Sequence, residues 1–148
     1  MTRSIASPML FITLALAGVT DVRAQALGLI PGVEEIASDT IRDLAIAAVD
    51  HDVPAIYYNP RLARRYGPEL TRFFPAHEYG HLHFRHTRIG LRDLPDATRD
   101  SVLRSQEREA DCYAARQEGA EARLATETAL RFFARLGPFR FDNEHPTG

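Results

Sequence analysis

A chain of 148 residues, 45% apolar and 26% charged, has the size and composition of one small globular domain. Its net charge of −2, without a long basic stripe interleaved with aromatics, argues against nucleic-acid binding as the main activity. Arg85, Arg88 and Arg92 form only a local basic patch, read here as a solvated face. The single cysteine, Cys112, excludes an internal disulfide, and its setting among apolar residues reads as a small core position.

Residues 1–24 differ in character from the rest. MTR carries a positive charge, PMLFITLALAGV is a largely apolar run, and Val22-Arg23-Ala24 precedes a polar Gln25. This is the layout of a secretory signal peptide cleaved after Ala24, or after Ala26 through Ala24-Gln25-Ala26. Twelve residues fall short of the roughly 20 that span a bilayer. The expectation is an exported, periplasmic or secreted domain over residues 25–148, with no stable membrane span after cleavage. A buried N-terminal helix and an uncleaved anchor are the alternatives. Without a disulfide, stability must come from packing and from any bound metal, whose binding free energy adds to folding.

After the leader, Ser38 or Asp39 can cap a helix whose apolar positions Ile41, Leu44, Ala45 and Ala48 follow helical spacing. VPAIYYNP, residues 53–60, reads as a strand from its β-branched and aromatic content. IPGV at 30–33 and RIGL at 88–91 are weaker strand candidates. Gly67-Pro68 marks a turn and a helix start, with helical spacing of Leu70, Phe73, Phe74 and His77 continuing to about His86. Pro75 either kinks that helix or marks its true first turn. Leu94-Pro95-Asp96 opens the next helix, which runs toward Gly119 with a stripe of Leu103, Glu107, Ala110, Asp111 and Ala114. A last helix, about 120–136, buries Ala125, Ala129, Phe132, Phe133 and Leu136. The expected fold is α+β: mostly helical, with a small sheet edged by residues 53–59.

Residues 77–81 read HEYGH. Six His and ten Glu in this chain would give H-E-x-x-H by chance in roughly two shuffles of a hundred, so the motif needs corroboration. Four residues along an α-helix turn about 400°, so His77 and His81 project from one face toward a single metal ion. Glu78 is rotated away from the ligand direction and can reach a water instead. Gly80 costs up to about 1 kcal/mol in mid-helix, a cost that makes sense where another element must come close. A catalytic zinc site wants a third protein ligand. Two acids on a stripe that should face inward supply it: Glu107 can take the metal and Asp111 can accept the other ring N–H of a ligating histidine, His77 in particular. Glu109 is the alternative ligand, although it lies off the stripe. His83 and His86 lie roughly 200° and 140° round the helix from His81, which fits solvated or supporting roles better than a larger metal cluster.

H-E-x-x-H followed about 26 residues later by E-x-x-A-D (Glu107 to Asp111) resembles the gluzincin metallopeptidases of thermolysin-like architecture, in particular their compact HtpX-like and minigluzincin members. The resemblance spans mainly residues 53–115. It implies one Zn²⁺ per chain on His77, His81 and Glu107, Glu78 as general base on a zinc-bound water, and Asp111 supporting a ligand histidine. It also implies that VPAIYYNP lies along the cleft and pairs with an extended peptide. The expected function is hydrolysis of peptide bonds in exported or envelope proteins. Tyr57, Tyr58, Tyr113 and His145 are open candidates for a second donor to the oxyanion. The competing readings are a non-catalytic, zinc-stabilised binding or regulatory module of the cell envelope, and a metal buffer using the additional histidines.

Overall fold

The computed structural model describes residues 32–86, 91 and 93–136. The leader over 1–24, together with Arg88, Arg92 and His145, lies outside them. Of the two weaker strand candidates, the described residues Gly32, Val33 and Leu91 are not in strands. The elements are β1 (Glu34–Ala37), β2 (Ala45–Asp50), β3 (Val53–Tyr58), α1 (Pro60–Tyr66), α2 (Pro68–His83), α3 (Asp96–Ala115) and α4 (Ala120–Leu136). The fold is therefore α+β and mostly helical, as expected.

The helix expected from the spacing of Ile41, Leu44, Ala45 and Ala48 is not formed. Residues 45–50 are a strand instead. A short run of Ala and Ile satisfies either period, and tertiary pairing decides between them. The deciding feature is the two-residue turn at His51-Asp52, where both residues have positive φ, 45° and 65°. That conformation matches the right-handed twist of a hairpin, and His and Asp tolerate it better than most non-glycine residues. β2 therefore folds back antiparallel on β3, from Asp50↔Val53 to Ala45↔Tyr58.

β1 pairs parallel with the other side of β3, from Glu34↔Ala55 to Ala37↔Tyr58. The strand order is β1-β3-β2. Residues 53–59 therefore form the centre of the sheet, which corrects the expectation that they form its edge. The edge strands are β1 and β2. The central position suits β3 because it carries Ile56, which is fully buried. Buried Asn59 ends this strand and ties three segments together. Its backbone N–H donates to the Leu44 carbonyl, its side-chain amide donates to the Ile41 carbonyl, and its Oδ1 accepts from the N–H groups of Arg61 and Leu62. Asn59-Pro60 thus ends the strand and also opens α1, as N-cap and first helical residue, an element the sequence reading did not anticipate.

Gly67, at φ 89°, turns the chain into α2, which starts at Pro68 and runs through Pro75 to His83. Pro75 thus lies inside the helix and does not mark its first turn. α2 is the centre of the molecule, packed against α3 and α4 and, elsewhere, against β2. Leu70, Phe73, Phe74, Tyr79 and Leu82 of α2 form one core with Leu44, Ala45, Ile56, Ala114, Ala125 and Ala129. Phe73, Phe74, Phe132, Phe133 and Tyr66 meet edge-to-face at centroid separations of 5.6–6.5 Å, and each such pair adds about 0.5–1.5 kcal/mol beyond its buried area. Deep burial on α4 falls to Ala122, Ala125 and Ala129, while Phe132, Phe133 and Leu136 are only half-buried. Cys112 is exposed, not in the core. It lies two residues, about 200°, beyond buried Ala110, so the stripe it seemed to join passes it by.

α2 and α3 meet at Gly80. A Cβ added there would lie 2.8 Å from Ala110 Cα and 3.1 Å from Tyr113 Cβ, so the two helices touch backbone to backbone. We expect Gly80→Ala to lose up to about 2 kcal/mol, an overpacking cost of about 1–3 kcal/mol set against a helix-propensity gain of about 1. Urea melts of the two proteins measure it. A more stable variant would show that the helices are not held at this distance.

Candidate metal centre

The close crossing at Gly80 sets the histidines of α2 against the acids of α3. His77 and His81, one turn apart, point their Nε2 atoms at nearly the same place, 2.9 Å from one another. Glu107 of α3 reaches the same point. One of its oxygens is 3.1 Å from His77 Nε2 and the other 3.5 Å from His81 Nε2. Donor atoms of His77, His81 and Glu107 all lie within 4.8 Å of each other. The three residues expected as ligands are thus brought together, and this group could hold a metal ion.

Asp111, one turn beyond Glu107, occupies its expected place: its Oδ1 is 2.9 Å from His77 Nδ1. A hydrogen on Nδ1, donated to Asp111, would leave His77 Nε2 with a lone pair for a metal. That lone pair then faces a carboxylate oxygen and a second imidazole nitrogen. A buried meeting of two imidazole nitrogens and a carboxylate is favoured when a positive charge, a metal cation or a proton, sits among them. His77 is only 2% exposed. Burial by itself would lower its pKa. The hydrogen bonds to Asp111 and Glu107 and the charges of Glu78 and Asp111 outweigh burial and raise it to about 10. In the absence of a metal the site gathers a proton instead, consistent with its preference for a cation.

Glu78 is not part of the ligand group. It turns toward the sheet, where its Oε2 accepts the Ala47 N–H of β2 at 2.6 Å. Burial raises its pKa, while His77, His81 and the Ala47 N–H pull the other way. A buried carboxylate with a raised pKa beside a cation site is suited to take up and release a proton. Ala47 is a site component that the sequence did not reveal, since a backbone N–H has no side-chain signature.

The remaining candidates separate clearly. Glu109, the alternative ligand, does not join the group; its Oε2 is 3.0 Å from His86 Nε2. His86 in turn places Nδ1 3.1 Å from His81 Nδ1. His86 is buried, and burial lowers its pKa despite Glu109. His83 is exposed and lies beside Phe84 and Tyr113. Tyr113 packs among His83 and Phe84, and its phenol is pushed up by burial. Tyr57 and Tyr58 are half-buried in the central strand. These placements do not single out one of the tyrosines as a second oxyanion donor.

No protein-family model, curated protein or solved structure matches the chain. The functional reading therefore rests on the residues and their geometry.

Glu107→Ala should weaken metal binding by more than the roughly 10–100-fold typical of losing an outer-shell partner, and Asp111→Asn by about that amount. Competition against a chromogenic chelator measures both. Unchanged affinity in Glu107→Ala would transfer the third ligand to another acid.

Proposed function

We propose that the protein is a zinc-dependent metallopeptidase of gluzincin type, acting on exported or envelope proteins. The observation that carries this reading is the meeting of His77, His81 and Glu107 at one point, with Glu78 beside them and outside the ligand group. Two imidazoles and one carboxylate suit zinc among the common divalent ions. A purely structural site has no use for a buried second acid, outside the ligand group, placed where it can exchange a proton.

His77, His81 and Glu107 would hold the zinc, which would supply the positive charge that acidifies a water molecule and polarises a peptide carbonyl. Asp111 holds the His77 ring by its Nδ1–H, so that Nε2 keeps its lone pair for the metal. Glu78 accepts the proton of the attacking water and returns it to the departing amine nitrogen. Its burial supports this double duty, because a carboxylate held away from water binds a proton more readily than a solvated one.

The substrate edge is reassigned from β3 to β2. β3 is paired on both sides, whereas β2 is an edge strand whose Ala47 N–H is directed at Glu78. An extended peptide added along β2 would run past the catalytic carboxylate, with main-chain hydrogen bonds supplying affinity. The leader read at residues 1–24 supports export as the setting.

Glu78→Gln tests the reading. We expect hydrolysis of an unstructured protein to fall about 10²–10⁴-fold, with zinc content unchanged near one per chain. Equal activity of the variant would exclude Glu78 as the base. A wild-type protein that binds one zinc tightly and cleaves nothing across a peptide library would favour the binding-module reading, and two or more tight zinc ions per chain would favour the metal buffer.

A further inference from the structure

Among the described residues His81, the second candidate ligand histidine, has no carboxylate on its Nδ1 comparable to the Asp111 of His77. It has instead a two-residue connection that the peptidase reading leaves unused. Its Nδ1 faces His86 Nδ1 at 3.1 Å, and His86 Nε2 faces Glu109 Oε2 at 3.0 Å. We propose that Glu109 and His86 are positioning residues for His81, forming a carboxylate–imidazole–imidazole relay that fixes its tautomer so that Nε2 keeps its lone pair for the metal.

The direction of the relay follows from which atoms can donate. An ionised carboxylate only accepts, so the hydrogen between Glu109 and His86 sits on His86 Nε2. A neutral His86 then has its lone pair at Nδ1. The short contact to His81 Nδ1 becomes a hydrogen bond only if His81 donates, which places the His81 hydrogen on Nδ1 and leaves Nε2 bare. The opposite arrangement would put hydrogen on His81 Nε2, the atom that lies 2.9 Å from His77 Nε2 and 3.5 Å from Glu107, and would block coordination. Glu109 therefore determines the proton position two hydrogen bonds away.

The backbone is shaped to make this connection. α2 ends with the Phe84 N–H donating to Gly80 and the Arg85 N–H to Leu82. Arg85 then adopts a left-handed conformation, φ 62°, at a place where helices usually employ glycine. A non-glycine residue in that region is strained, and such strain persists only where the surroundings enforce it. The reversal returns His86 over the last turn of its own helix, buries it, and stacks it on Phe84 with ring planes 21° apart. Glu109 approaches from α3 at the solvent side, with its side chain 53% exposed. α3 thus supplies three acids with separate tasks: Glu107 to the metal, Asp111 to His77 and Glu109 to His86.

This inference rests on the metal-site reading, but it has a readout that does not. Long-range ¹H–¹⁵N correlation spectra of the full, metal-free chain report the tautomer of each histidine directly. We expect His81 with hydrogen on Nδ1 and His86 with hydrogen on Nε2. Glu109→Gln keeps the shape but can accept or donate, so His81 should become a mixture of tautomers. Zinc affinity by chelator competition should fall about 10–100-fold in Glu109→Ala and less in Glu109→Gln. A purely structural role for Glu109 would alter melting without moving the tautomer. The proposal is overturned if His81 carries its hydrogen on Nε2 in the wild type, or on Nδ1 unchanged in both variants. A wild type that binds no zinc yet shows the expected tautomers would sink the peptidase reading and leave the relay standing.

Discussion

The contact between the backbones of α2 and α3 at Gly80 and Ala110 is the constraint on which the rest of the molecule depends. Imidazole and carboxylate side chains are short, and they meet at a common point only if the helices bearing them run nearly surface to surface. Any side chain at position 80 larger than hydrogen would separate them. The glycine lies between His77 and His81 in sequence, and the alanine between Glu107 and Asp111. The point of closest approach therefore sits in the middle of both functional pairs. The same crossing that closes the core also brings together the three residues that could hold a metal ion.

The remaining elements hold that crossing from outside. The aromatic group of Phe73, Phe74, Phe132 and Phe133 secures one face of α2 to α4, aided by an ion pair between Arg72 and Glu121. The ion pair is exposed and adds little beside the rings. On another side, the sheet presents β2 to α2, and Asn59 fixes where the sheet ends relative to α1. The candidate site thus lies with His77, Glu78 and His81 on one helix, Glu107 and Asp111 on another, and the edge strand β2 beside them. Among the described residues no helix is long and apolar enough to cross a membrane.

What the sequence revealed, and what it concealed, follows from the kind of signal involved. The two site helices were legible because they are long, periodic and punctuated by Gly67-Pro68 and Pro95. Glu107 and Asp111 were legible because acids on an inward stripe demand an explanation, and two histidines one turn apart offered it. β2 was not legible: Ala45, Ile46, Ala47 and Ala48 fit a helix as well as a strand, and a turn made by His51-Asp52 without glycine gives no warning. Read as helix, β2 leaves β3 without its antiparallel neighbour, and the edge position that the resemblance implies for residues 53–60 goes unopposed. Cys112 illustrates the finer limit: it stands beside the inward stripe in sequence, yet about 200° of helix phase from Ala110 puts it outside. The connection from Glu109 to His86 was hidden because it depends on a left-handed residue at Arg85, and no side-chain pattern announces a backbone reversal of that sort.

The turn at His51-Asp52 has a further consequence, as a ruler. Two residues there set the antiparallel pairing so that Ala47, opposite Ile56, sends its amide outward to Glu78. Side chains and amides both alternate along a strand, so an insertion or deletion of one residue in this loop would present the neighbouring position with the reverse polarity and turn its side chain to the other face. The sheet itself could re-form in the shifted alignment, since Ala and Ile succeed one another along β2. Length at this loop, more than the identity of its residues, is therefore what natural variation should preserve, even though the loop tip lies on the surface, where indels are ordinarily best tolerated.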